Sequence, residues 1–318
     1  MVDFRYHLVT IVAIFLALAL GIVVGTTQLN GQVLDDLNSR VDGLVEEKRG
    51  LEQTVAEQTS RTDADEQTVA QLAGLALPGQ LAGQRVVLVS APNADGGLTD
   101  ELIGYLERSG ATISSRVRVG PDLIDPAKES LVQQAVTGAA PAGLRLMGTP
   151  VQQAAQELSG ALLRPPPGTP GTARMSESDA ERVLTRFQDD GLIQVDAQPP
   201  GMPGTVAVLL TGEAVQSADS DTVRTRLKAL LDLAGELDRT GSGVVVGGPL
   251  GASAEGGLIA ALRGDDGSTE NISSVDGLET AQGLVAVVFA LKEQAAGSAG
   301  QYGTGPGNDG PLPDPLTR

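Results

Sequence analysis

The sequence predicts an α/β protein with three parts: an N-terminal transmembrane helix, a coiled-coil stalk, and a mostly parallel sheet covered by helices. Three observations support this. An uncharged apolar run lies near the N-terminus, a heptad repeat follows it, and short apolar strands then alternate with helical segments. Strands that are apolar on both faces and are each followed by a helix are typical of a sheet covered on both sides.

The apolar run Leu8–Val24 has the length of a membrane-spanning helix, about 26 Å at 1.5 Å per residue. Arg5 precedes it, and the first charged residues beyond it are Asp35 and Asp36. The positive-inside bias therefore predicts a single-pass cell-membrane protein with a cytoplasmic N-terminus and an extracytoplasmic bulk. The competing interpretation is a cleaved signal peptide. The Gly-Thr-Thr after Val24 is a poor cleavage site, which favours the uncleaved anchor.

Residues 28–77 are predicted to form a coiled-coil stalk. The predicted dimer seam consists of Leu34, Leu37, Val41, Leu44, Lys48, Leu51 and Val55. β-branched residues at a and leucine at d favour two parallel strands, and lysine at an a position disfavours larger assemblies. The repeat weakens at Gln58, Thr62 and Asp65. The alternative is an amphipathic helix that folds back on its own domain.

The remaining chain is divided into an α/β extracytoplasmic domain, 78–296, and a disordered Gly/Pro-rich tail, 297–318. Predicted strands are Arg85–Ser90, Ala111–Val119, Val206–Leu210, Gly243–Gly247 and Ile272–Val275. Predicted helices are Leu98–Arg108, Pro126–Leu163 with breaks near Pro141 and Pro150, Ala180–Asp190, Asp221–Asp238, Gly256–Leu262 and Thr280–Lys292. A proline-rich run at 165–171 leaves open one sheet or two; we favour one.

Composition limits the chemistry. The net charge of -18 and pI of about 4.4 argue against nucleic acid and anionic lipid headgroups as partners. There is no Cys, and the only histidine, His7, precedes the membrane run, which excludes histidine-based nucleophilic catalysis outside the cytoplasm. We therefore predict no enzyme activity and no cofactor.

Glycine-rich and acidic motifs are interpreted as local structure. Gly247–Gly251 could cradle an anion but lacks the Lys-Ser/Thr ending of a P-loop, so a tight turn is favoured. Gly305–Gly310 matches GxGxxG, but no predicted strand precedes it. Asp219 with Asp221 indicates a helix cap, and Asp265 with Asp266 indicates a turn.

Four stretches together resemble the MctB-type copper transporter family of actinobacteria, which includes SteB-like envelope proteins. They are Arg5–Val9 with the apolar run to Gly25, Val86–Asp95, Ile272–Gly283 and Gln301–Pro306. The resemblance implies a role in copper export or tolerance. For the SteB branch it also implies a dimer that engages a cytoplasmic-side or envelope partner and supports cell separation.

The residues themselves supply few copper ligands. Cu(I) prefers Cys or clustered Met, and Cu(II) favours imidazole. Met147, Met175 and Met202 are isolated in the sequence, so no metal site is predicted. Two functions therefore stand: a membrane-anchored envelope protein of copper export or tolerance, and a non-enzymatic coiled-coil dimer scaffold for an envelope or cell-separation complex.

Overall fold

The computed structural model describes residues 4–141, 145–164, 175–197, 202–215 and 219–313, without the side chains of residues 4, 26–35 and 197. The chain divides into two compact units, Met1–Asp65 and Glu66–Arg318. Helix α1, Phe4–Ala76, contributes to both units. The first unit contains a segment, Arg5–Gly25, that is long and apolar enough to cross a membrane, with a mean hydropathy of 2.9.

The second unit begins within the predicted stalk rather than at its end. Val69, Ala70 and Ala73 of α1 pack against the core of this unit together with Leu77. The helix then ends at Ala76, before Pro78 and Gly79, the latter with φ of +83°. The alternative of a helix folding against its own domain therefore holds for this last part of α1.

A seven-stranded sheet forms the centre of the second unit in its described part, in the order β3-β2-β1-β4-β5-β6-β7. All strand pairs are parallel except β2 with β3. The strands are β1 Arg85–Ser90, β2 Thr112–Val119, β3 Ile193–Ala197, β4 Val206–Leu210, β5 Val244–Gly247, β6 Ser273–Val275 and β7 Gln301–Tyr302. This confirms a single, mostly parallel sheet, while the whole proline-rich run 165–171 lies outside the described residues.

Helices cover both faces of this sheet. They are α2 Gly96–Arg108, α3 Glu129–Ala139, α4 Pro150–Leu162, α5 Glu177–Asp189, α6 Ser220–Thr240, α7 Leu258–Arg263, α8 Asp266–Thr269 and α9 Ala281–Ala295. The central strand β4 is buried throughout. Ala207 and Leu209 point into the core under α3 to α7, whereas Val206 and Val208 point into the core under α2 and α9. Burial on both faces explains why this strand is apolar without alternation.

Side-chain caps mark the start of several of these helices, and those at Ser176 and Thr280 lie where the sequence predicts a helix to start. Ser176 accepts a hydrogen bond from the Asp179 amide at the start of α5. Thr149 and Gln152 form a reciprocal capping box before α4, with Pro150 in its first turn. Thr280 caps α9 by accepting from the Gly283 amide. Such caps satisfy amides that have no partner within the helix, and they fix where each helix begins.

Two parts of the sheet differ from the predictions. Strand β3 is missed because its five residues alternate polar and apolar at an edge of the sheet and pair antiparallel with β2. The prediction of disorder from Gly297 is wrong for residues 297–313, because β7 pairs with β6 and Tyr302 is buried. Contacts with residues distant in sequence, which composition does not reveal, hold this segment.

Candidate functional site

Three of the four stretches that carry the family resemblance meet at the carboxyl edge of the sheet. Residues 91–95 follow β1, residues 276–280 follow β6, and residues 303–306 follow β7. The strand order also reverses between β1 and β4. In open α/β sheets, ligands bind outside the carboxyl ends of strands at such a reversal. A ligand-binding site is therefore expected at this edge of the sheet.

The loops that follow β1 and β4 lie beside the point where the strand order reverses. A cavity of about 10 Å³ lies there, lined by residues that include Asp95, Thr99, Thr211 and Leu278. That volume holds about one water molecule. The Asn93 side-chain amide donates to the Glu213 carbonyl at 3.1 Å, which joins the loop after β1 to the loop after β4. This cavity, as its described lining shapes it, is too small for a ligand larger than water.

The helix terminus beside this cavity is also occupied. Asp95 caps α2 by accepting a hydrogen bond from the Leu98 amide at 2.9 Å. A helix N-terminus attracts anions through its free amides and its dipole. Here the protein's own carboxylate already supplies the negative charge, so this terminus does not attract phosphate or a similar ligand.

The backbone amides of the glycine-rich loop after β5 also donate hydrogen bonds to other groups of the protein. Its Leu250 amide donates to both oxygens of Glu279 at 3.2 Å, and its Gly248 amide donates to the Val275 carbonyl at 3.1 Å. The Glu213 carboxylate lies directly against Gly251, where it occupies the space beside the glycine Cα. The negative charges of these two carboxylates would repel a bound anion, which supports the interpretation of Gly247–Gly251 as a turn.

The C-terminal segment is held by a buried ion pair. Arg263 donates to Asp276 at 2.7 Å, and their side chains are only 4% and 0% exposed. The Arg263 guanidinium also donates to the carbonyls of Tyr302 and Pro306. Asp276 accepts from the amides of Thr304 and Gly305. These hydrogen bonds hold the segment that follows β7.

The acidic pairs noted in the sequence are helix caps. Asp219 accepts from the amides of Asp221 and Thr222 at the start of α6, and the hydrogen bonds from Thr222 lower its pKa. Asp265 caps the one-turn helix α8 by accepting from Ser268. Asp266 lies in that turn of helix rather than in a simple turn. Within the described residues, no group of three or more His, Asp or Glu side chains is arranged to hold a metal ion.

The three methionines differ in exposure. Met147 and Met202 are 72% and 49% exposed, whereas Met175 packs against the core beside Gly160 of α4. An exposed thioether can reach a soft metal ion, but Cu(I) needs several such ligands at one point. The arrangement supports no preformed copper site from these side chains.

The predicted seam residues lie on one helix and point into solvent. Leu37, Val41, Leu44, Leu51 and Val55 are each at least half exposed. Lys48 pairs with Glu52 at 3.3 Å. Leu34 lies outside the residues whose side chains are described. Together these exposed apolar side chains form a row with heptad spacing along the helix.

A further buried acid, without an ion-pair partner, was not predicted from the sequence. Glu157 lies in α4 and is 0% exposed, and neither of its carboxyl oxygens has a hydrogen-bond partner. Burial raises the pKa of this carboxyl to about 7. A glutamate between Gln156 and Leu158 in a helix of mixed polarity gives no signal of burial, because adjacent helices rather than local sequence cover it.

Comparison with known proteins identifies the family. The family described as "Copper transport outer membrane protein, MctB" matches residues 1–313. Proteins named Copper transporter MctB from Mycobacterium bovis and Mycobacterium tuberculosis are each 26% identical to this chain, over 96% of its length and 98% of theirs. The Mycobacterium leprae protein of the same name is 25% identical, with the same coverage. The chain therefore belongs to the MctB family.

Proposed function

We propose that this protein is a single-pass cell-envelope protein that supports copper export or tolerance as a parallel dimer, without catalysis. Its apolar segment Arg5–Gly25 anchors the chain, with the N-terminus in the cytoplasm and the bulk outside. The link to copper comes from the relatives named Copper transporter MctB. The copper role is therefore a family expectation, while the dimer rests on the residues of this chain.

The observation that carries this proposal is the apolar row on α1. Leu37, Leu44 and Leu51 are spaced by whole heptads and are 57%, 64% and 61% exposed. Burying one leucine side chain stabilises a protein by about 1.5–3 kcal/mol. A row of exposed leucines therefore favours packing against a second apolar surface. Two copies in the same membrane are parallel, and this row then becomes their common seam.

A scaffold role follows from the chemistry that the chain supplies. Its only histidine is His7, it has no cysteine, and the described cavity at the reversal of the strand order holds about one water molecule. The carboxyl edge instead carries well-ordered loops, with exposed Glu213 and Glu279 around Leu250. Ordered loops on a rigid sheet are suited to recognising another protein.

The second candidate is direct copper handling by methionine. It is favoured by the exposure of Met147 and Met202, whose thioethers reach solvent. In that case, copper recruits these side chains together with Met175 when it binds.

A growth experiment separates the two candidates. A strain of the source organism that lacks this protein is complemented with the wild type, with L44A/L51A, or with M147L/M175L/M202L, and growth is measured against copper concentration. The dimer proposal predicts that the methionine variant restores tolerance and that L44A/L51A does not. The control E46A/Q53A alters exposed residues on the opposite side of the heptad and should restore tolerance fully.

The reverse pattern would overturn the proposal: tolerance restored by L44A/L51A but lost in the methionine variant. Immunoblots of the membrane fraction ensure that all variants are compared at equal abundance.

A further inference from the structure

The buried carboxyl of Glu157 has no compensating group in the described structure. Its side chain is 0% exposed in the middle of α4, and neither carboxyl oxygen has a hydrogen-bond partner. Buried polar groups are nearly always hydrogen-bonded, and a buried charge without a partner costs far more than a buried neutral group. The folded structure therefore accommodates this side chain in its protonated form.

The helices around α4 offer no positive charge to an ionised Glu157. Helices α3, α5 and α6 pack against α4, which carries no other charged residue. Every described arginine and lysine on these helices pairs with a different carboxylate: the pairs are Arg182–Asp179, Arg186–Asp190, Arg224–Asp221, Arg226–Asp125, Lys228–Asp232 and Arg239–Glu236. The acids outside these pairs are Glu129 on α3, Glu177, Glu181 and Asp189 on α5, and Asp238 on α6. These further acids would oppose a second negative charge, so the ionised form has no support from any of the three helices.

Helices α3, α4 and α5 are contiguous in the chain. They follow one another between β2 and β3, and no described strand interrupts them. Strand β3 lies at the edge of the sheet, where it pairs with β2. Local opening of folded proteins takes place in contiguous cooperative units of this kind. An opening of these three helices breaks no pairing among β1, β2 and β4 to β7.

We propose that ionisation of Glu157 opens α3, α4 and α5 away from the rest of the second unit, so that these helices form a pH-sensitive device. The inference goes beyond the proposed function and depends neither on the dimer nor on copper. Strands β1 and β2 contribute Val87, Val117 and Val119 to the same apolar core as these helices. The open form therefore uncovers part of that core.

The direction of the pH dependence follows from the two environments of the carboxyl. In the closed form, burial raises the pKa of Glu157 to about 7, whereas in the open form water solvates the carboxyl and its ordinary pKa of 4.5 applies. A raised pKa stabilises the closed form at low pH, and this stabilisation is lost as the pH rises through 7. With these two values, the equilibrium constant for opening rises roughly 70-fold between pH 5 and pH 8.

The test is hydrogen–deuterium exchange, measured by mass spectrometry on the full-length protein in detergent micelles at pH 5, 6, 7 and 8. Opening constants are obtained after correction for the intrinsic exchange rate at each pH. Peptides from α3, α4 and α5 are compared with peptides from β4 and β5, which report opening of the whole unit. The variant E157Q removes the ionisation with little change of shape, and E181Q removes an exposed charge from α5 as the control.

We expect α3, α4 and α5 to open more readily than β4 and β5 at every pH. Their opening constant should rise roughly 70-fold from pH 5 to pH 8 in the wild type and in E181Q, and should change far less in E157Q. Equal opening constants for α4 and β4 would overturn the inference, because the helices would then open only together with the whole unit. The same pH dependence in E157Q as in the wild type would also overturn it. The wild type decides the inference even if E157Q does not fold, since an opening constant that is independent of pH contradicts it.

Discussion

Replacing Glu157 with glutamine should change how the stability of the second unit depends on pH. Glu157 is fully buried in α4 without a hydrogen-bond partner, and helices α3, α5 and α6 pack around α4. Glutamine has nearly the same shape and stays neutral at every pH. The variant therefore removes the ionisation and leaves a buried polar group in place.

The size of the change in the free energy of unfolding follows from the pKa of the Glu157 carboxyl. Burial raises the pKa of Glu157 from its ordinary 4.5 to about 7. Between these values the folded protein holds a proton that the unfolded chain has released, so the free energy of unfolding falls as pH rises. The contribution is fully present below pH 4.5 and is lost above pH 7. At about 1.36 kcal/mol per pH unit, the loss is about 3 kcal/mol.

The assay is urea unfolding of the fragment from Gln28, measured at intervals between pH 5 and pH 8. Wild type and E157Q should differ little at pH 5, and E157Q should be more stable by about 3 kcal/mol at pH 8. Other titrating groups, such as Asp238, whose pKa is raised to about 6 by burial, are present in both proteins and cancel in the difference.

A matched control is E181Q, which removes one negative charge from an exposed position in α5. It accounts for any effect of net charge alone. If the gap in stability between wild type and E157Q is the same at pH 5 and pH 8, the carboxyl is not desolvated and the assignment is refuted.

Three further predictions concern the buried ion pair, copper and topology. R263M leaves Asp276 buried without its counter-charge and should cost about 3–5 kcal/mol in urea unfolding; R263M/D276N should recover part of that loss, and equal stability of both variants would contradict the pairing. The fragment from Gln28 should not compete with a nanomolar chelator for Cu(I) or Cu(II), because it lacks Cys and His; a stoichiometric site that M147L/M175L/M202L abolishes would contradict this. N-terminal sequencing of protein extracted from membranes should give the residues before Leu8, whereas a start after Val24 would indicate a cleaved signal peptide.

The sheet was predictable where a strand is apolar on both faces. Strand β1 was predicted with its observed bounds, Arg85–Ser90, and β4 likewise, because central strands of a covered sheet need no alternation. The edge strands β3 and β7 were not predicted. Strand β3 alternates and runs antiparallel, and β7 is only two residues long within a Gly/Pro-rich segment. Both depend on their neighbours more than on their own composition.

The candidate site was predictable only in part. The helix-cap role of Asp219 follows from its position before an apolar helix and is confirmed, whereas the dimer seam stays a prediction from heptad spacing. The burial of Glu157 and the role of Arg263 could not be read from the sequence. Each depends on contacts with elements far along the chain, such as the Arg263 bonds to the carbonyls of Tyr302 and Pro306.

The most direct test of the proposed dimer is the mass of the fragment from Gln28 in sedimentation equilibrium, for wild type and for L44A/L51A. Each change removes a buried layer, which in well-packed cores costs about 2–5 kcal/mol, and less in an exposed two-stranded coil. We expect wild type to sediment as a dimer and L44A/L51A as a monomer. Wild type that is monomeric at high micromolar concentration would contradict the seam, and L44A/L51A that stays dimeric would place the contact elsewhere.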